Sequence, residues 1–144
     1  MHSEIRDVAF EPYAELQAYQ ERMQQAGQYG ATAVFVGSMR DFNEGDTVKG
    51  MVLEHYAGMT EKFLIQISEQ AASRWSILDS LIIHRVGEVQ PADPIVLVAV
   101  WSAHRKDAFE ASRFMMEELK SKAPFWKKEY LAEGQRWVEQ NSKG

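Results

Sequence analysis

Apolar positions recur along the chain with two periods, one helical and one alternating, and their order predicts a mixed fold. From Pro12 to Gly27, Tyr13, Leu16, Tyr19 and Met23 fall at helical steps. Pro12 near a first helical position and Gly27 as a stop make this an amphipathic helix. A second helix is predicted over 59–75, where Met59, Phe63, Ile67, Ala71 and Trp75 recur every four residues and Leu64 and Ala72 widen the stripe. A third is predicted from an N-cap at Ser102 to the stop at Pro124, with Ala108, Phe109, Ser112, Met115, Met116 and Leu119 on its apolar face. Between the helices lie short β-branched runs. GATAVFVG reads as a buried strand starting after Gly30 and ending at Gly37, the polar DFNEGDTVKG as a loop, and MVLEHY as the next strand. SLIIHRVG and IVLVAVWS are two further strands, parted by EVQPADP, whose prolines break regular structure. The second is apolar enough for the centre of a sheet. The segment after Pro124 alternates around Gly134 and predicts a terminal hairpin. With no repeat or linker, residues 1–144 are expected to form a single α+β domain, an antiparallel or mixed sheet with about three helices.

Composition narrows the function classes. At 144 residues, 45% hydrophobic and 26% charged, the chain can bury a core without crosslinks. No apolar run approaches the roughly 18 residues of a membrane span. Glu4, Arg6 and Asp7 interrupt the first ten residues, so no secretory leader is expected and the expected address is the cytoplasm. There are no cysteines, which excludes disulfides, thiolate metal sites and a cysteine nucleophile; any sulfur chemistry needs sulfur from elsewhere. A net charge of -5 disfavours nucleic acid and anionic membranes as partners, while leaving room for a local basic pocket.

Two such pockets are candidates. KSKAPFWKKE, from Lys120 to Glu129, holds four lysines around a rigid aromatic turn. Lys120 alone is an ordinary helix C-terminal cation. Beside Lys127 and Lys128 it becomes part of a crowd, and mutual repulsion with partial desolvation lowers a lysine pKa toward acid, base or nucleophile duty. Phe125 and Trp126 read as core or pocket wall. At the other end of the same helix, His104, Arg105 and Lys106 stand where unpaired backbone N–H groups favour an anion, although a solvated edge is the plainer reading. Arg40, just past a strand end, is either ligand-facing or simply solvated. Arg105 and Lys120 are about 22 Å apart along one helix. If both serve one pocket, a second copy of the chain must bring the missing half, giving a site shared across a homodimer. His2, His55 and His84 lack metal-ligand spacing, so no metal is expected, and His55 and His84 read as packing or hydrogen-bonding residues. No phosphate-cradling glycine loop or serine hydrolase elbow occurs, and Glu117 and Glu118 look like surface.

Three segments in order, GATAVFVGSMRDFNEGDTVKGMVLEHYAGMTEK, WSAHRKDAFEAS and LKSKAPFWKKE with GQRWVE beyond, resemble the catalytic (large) subunit of molybdopterin synthase. The resemblance runs from about residue 5 to 139. It implies a hammerhead-like α/β arrangement, and a sulfurtransferase of molybdenum cofactor biosynthesis that needs no cofactor of its own. The substrate implied is cyclic pyranopterin monophosphate, which gains two dithiolene sulfurs. Their source is the thiocarboxylate on the Gly-Gly tail of a small ubiquitin-like sulfur-carrier subunit, and two such subunits flank a homodimer in a heterotetramer. Lys120 and Lys127 match the family's active-site lysines. Arg40, His104 and Arg105 match its phosphate-binding residues, the last two donated by the opposite copy. Ser38, Met39, Lys128 and Glu129 flank these positions and are expected to line the pocket. Some members carry an additional arginine where this chain has Gln140 and Asn141, leaving Arg136 or Lys143 as substitutes. The competing class is a non-catalytic dimeric module that only binds a ubiquitin-like tail; nucleic-acid binding is disfavoured by charge.

Overall fold

The computed structural model describes residues 1–138. In chain order the elements are β1 (His2–Arg6), α1 (Pro12–Arg22), β2 (Ala31–Ser38), β3 (Phe42–Asn43), β4 (Asp46–His55), α2 (Met59–Arg74), β5 (Ile77–Arg85), β6 (Gly87–Val89), β7 (Pro94–Ser102), α3 (Arg105–Lys122), β8 (Phe125–Leu131) and β9 (Gln135–Trp137). They build two sheets. The first has the order β1-β5-β7-β2, antiparallel except where β1 runs parallel to β5. The second has the order β3-β4-β8-β9, with β6 added beside β4. The α+β expectation of three helices and a mixed sheet therefore holds.

The strand IVLVAVWS is central, as its composition predicts. Ile95 to Trp101 are all buried, because helices cover both faces of the first sheet and neither face can afford polar side chains. Toward α2 and α3, Ile82, Val98 and Val100 join Leu64, Ile67, Ala71, Met115 and Leu119 in the main core. Toward α1, Leu81, Ile83, Leu97 and Trp101 meet Phe10, Leu16 and Tyr19 in a smaller one. Two bonds fasten α1 there: Tyr19 donates to Asp79 at 2.9 Å, and Trp101 Nε1 donates to Gln20 at 3.0 Å.

Several expectations are corrected. α1 ends at Arg22, where Met23 turns extended, one turn before Gly27. Ser102 does not cap α3: it completes β7, and its hydroxyl donates to the carbonyl of His104, the residue that occupies the N-cap. Phe109 is 66% exposed and Met59 59%, so both helical stripes are rotated from their predicted centres. β2 is an edge strand that buries only Ala33 and leaves Val34 and Phe35 facing outward. The predicted loop after it is a hairpin. Glu44 and Gly45, both with positive φ, supply the two-residue turn whose twist matches paired strands, and β4 starts at Asp46 instead of Met51. β6 occupies the start of EVQPADP. The terminal hairpin forms as predicted, with Gly134 at φ 85 in its turn.

Candidate active site

The last turn of α3 and the first residues of β8 meet at one joint. Ala123 is extended, Pro124 blocks further helix, and Phe125 begins the strand. Across this joint Lys120 and Lys127, seven positions apart, come to line one cavity of ≈ 210 Å³ with His84, Met116, Leu119 and Phe125. β8 pairs with β4 so that Phe125, Lys127 and Glu129 lie opposite His55, Leu53 and Met51. Alternation along the strand turns these three to one face and Trp126, Lys128 and Tyr130 to the other.

The cavity changes the chemistry of Lys127. Burial, then repulsion from Lys120 and a hydrogen-bonding approach to it, lowers its pKa to about 7, with Arg40 contributing in the same sense and Glu129 opposing. An amine poised there gives and takes protons near neutrality, which an ordinary lysine does not. Glu129 is held in turn. Its buried carboxylate accepts from Asn43 Nδ2 at 3.1 Å and from Arg136 Nε at 2.9 Å, tying the first hairpin to the last. Arg136 also donates to the Asn43 carbonyl and to Asp46, so its guanidinium is already committed.

The other predicted site residues divide. Arg40 is exposed, 5.1 Å above the Phe42 ring, and near enough to repel Lys127. Ser38 is exposed where the β2 ladder breaks register. Two residues expected to line the pocket stand apart from this cavity within the single chain. Met39 is only 5% exposed and packs into the main core, while its backbone bonds Asp93 and Ala92. Lys128 points to the outer face of β8, its Nζ 5.3 Å from the Trp137 ring, because adjacent strand residues face opposite ways. His104 and Arg105 are exposed at the far end of α3, and one chain does not bring them to the lysines. Gln140, Asn141 and Lys143 lie outside the described residues.

A family model described as MoaE protein matches residues 9–122. The chain belongs to the MoaE family. A molybdopterin synthase catalytic subunit of Pseudomonas aeruginosa is 52% identical over 135 residues, which are 94% of this chain and 88% of that one. One of Ralstonia nicotianae is 57% identical over 112 residues, spanning 78% of this chain and 64% of the relative. A crystal structure of molybdopterin synthase from Staphylococcus aureus aligns with a TM-score of 0.84, with 33% identity over 95% of this chain and 96% of that one.

Within this MoaE chain the structure adds residues that spacing alone missed. His84 lies flat on Phe125, ring centroids 3.9 Å apart, and borders the lysine cavity. The clamp of Asn43 and Arg136 on Glu129 joins residues more than eighty positions apart in the case of Asn43. One signal was readable: His84 is the polar side chain that follows the apolar run Leu81, Ile82 and Ile83. No helix among the described residues is long and apolar enough to cross a membrane.

Proposed function

We propose that this chain is the catalytic subunit of a molybdopterin synthase, moving sulfur from the thiocarboxylate tail of a small ubiquitin-like subunit onto cyclic pyranopterin monophosphate in the cytoplasm. The observation that carries this reading is the pairing of Lys120 with Lys127 around one cavity, with the Lys127 amine near pKa 7. Lys127 exchanges protons as the thiocarboxylate attacks, and Lys120 stabilises the oxyanion that forms. His104 and Arg105 hold the substrate phosphate at the start of α3 and so fix the pterin without reacting. Arg40 adds a third cation on the approach.

Because α3 separates the two clusters by about 22 Å, the complete site takes His104 and Arg105 from a second copy of the chain. Val34 and Phe35, partly exposed on opposite faces of the edge strand β2, support pairing, since an unpaired apolar edge is a surface that another chain can cover. The assembly is then a homodimer with one small subunit at each end. The test is reconstitution with thiocarboxylated small subunit and pterin precursor. Lys120→Ala is expected to bind both partners and lose dithiolene formation by about 100-fold or more. Undiminished transfer by a folded, partner-bound Lys120→Ala would exclude the lysine mechanism. A wild-type complex that forms but yields no dithiolene would identify a binding module instead.

A further inference from the structure

Besides the two lysines the cavity wall carries, among the described residues, one titratable residue, His84, to which the lysine chemistry assigns no task. His84 stands on the face of β5 that carries Ile82 into the main core, and its ring is stacked on Phe125 at an interplanar angle of 14°. Its Nδ1–H donates to the Arg85 carbonyl at 2.8 Å. That bond fixes the tautomer, so a neutral ring carries its bare lone pair on Nε2. Burial keeps the ring neutral, and Lys120, Lys127 and His55 reinforce it, taking its pKa down to about 3.

Two adjacent ammonium groups repel, and either lysine can relieve the repulsion by rotating away. A wall that holds them together must meet three conditions at once. A carboxylate would return Lys127 toward its ordinary pKa, as Glu129 already does in part. An imidazolium would add another like charge, and an aliphatic side chain would offer no hydrogen bond. A neutral imidazole with one acceptor nitrogen and a flat face for Phe125 satisfies all three.

We propose that His84 is a positioning residue for the lysine pair: clamped between Phe125 and the Arg85 carbonyl, it offers Nε2 to the ammonium groups and keeps them side by side in the cavity. The role rests on the lysine-based reading above and deepens it. The groups that set the Lys127 titration are Lys120 on α3, Glu129 on β8 and Arg40 after β2, while Lys120, Lys127 and His55 on β4 are the charged and titratable groups that act on His84.

The lysines are titrated in the chain alone by NMR of ¹³Cε-labelled lysine, with Lys127→Arg to assign the signal; neither partner nor pterin is needed. The wild type is expected to show one lysine titrating near neutrality. His84→Phe keeps a flat ring on Phe125 but lacks the acceptor; the relief of repulsion as the ammonium groups separate is expected to exceed the loss of the hydrogen bond, so the midpoint rises by about half a pH unit or more. His84→Gln keeps an uncharged acceptor and stays within about 0.3 of wild type. In the reconstituted enzyme, His84→Phe lowers kcat about tenfold or more while KM stays within about twofold. A folded His84→Phe with the wild-type midpoint overturns the proposal. If His84→Phe does not fold, His84→Leu, equally without an acceptor, decides: a raised midpoint upholds the role, and the wild-type midpoint rejects it. A near-neutral lysine in a wild-type chain that transfers no sulfur would defeat the functional reading and leave this role standing.

Discussion

Helix α3 is basic at both ends, and the two ends are built differently. At its C-terminal end the chain finishes the arrangement by itself: Lys120 suits the negative pole of the helix dipole, Pro124 redirects the backbone, and β8 returns Lys127 to the same cavity. At its N-terminal end, His104 and Arg105 crowd the positive pole, His104 makes no side-chain capping bond, and both are exposed. Cations there cost a few tenths of a kcal/mol each until an anion arrives. Burial tunes a proton carrier from within one chain, whereas cations exposed on a helix start keep their ordinary solvation and leave the helix pole open to an anion.

Removing the finished end should have the largest effect. Lys127→Ala is expected to cut sulfur transfer by about 100-fold or more while partner binding persists, measured by reconstituted turnover. The unfinished end can be tested by mixing. Chains carrying Lys127→Ala and chains carrying Arg105→Ala, refolded together and assayed at pterin concentrations well below the wild-type KM, should recover about a quarter of wild-type turnover, because half the dimers then hold one intact site of two. No recovery in verified mixed dimers would mean that each chain supplies its own cations. Alone, Arg105→Ala should raise KM for the phosphorylated pterin about tenfold and change kcat little, as expected of a residue that anchors substrate without reacting.

A stability measurement separates the ends further. Lys127 titrates at about 7 in the folded chain and at 10.5 ordinarily. The unfolded chain therefore binds more protons between these values, and stability gains from this residue as pH rises through that window. Below pH 7 the cost of the buried charge is fully present. Lys127→Met should accordingly melt above wild type at pH 6, with the gap narrowing steadily toward pH 10. The smallest effect belongs to Lys122→Ala. Its ammonium pairs with Glu118 at 3.0 Å on the exposed side of the same helix end, so the change should cost about 0.5 kcal/mol or less in chemical denaturation and leave transfer intact.

What the sequence made legible follows from how far each signal reaches. The runs that became β5 and β7 and the bodies of α2 and α3 were plain, because local periodicity and tertiary burial agree there. Phe109 and Met59 were misplaced because helical spacing fixes a stripe but not which edge of it meets the sheet. The hairpin at Glu44–Gly45 hid behind a non-glycine residue with positive φ, and β1 behind charges that an edge position tolerates. In the site, Lys120 and Lys127 stood out by charge density around Pro124. Lys128 was drawn in by adjacency, which a strand turns into opposition. The clamp on Glu129 depends on contacts across the fold that no local pattern announces, and for His84 the pattern suggests packing but not the lysine cavity it borders.

The joint at Pro124 makes chain length at this point a question of odd and even. Loss of Trp126 alone would slide β8 by one residue and invert its faces. Because two lysines stand in tandem, Lys128 would then rotate inward and an amine would still guard the cavity. The acid would not survive the same slip: Glu129 would swing outward, Tyr130 would take its place, and Asn43 and Arg136 would close on a phenol. Tandem lysines thus tolerate a frame error that the neighbouring carboxylate does not, and natural length variants of this segment should change by two residues at a time.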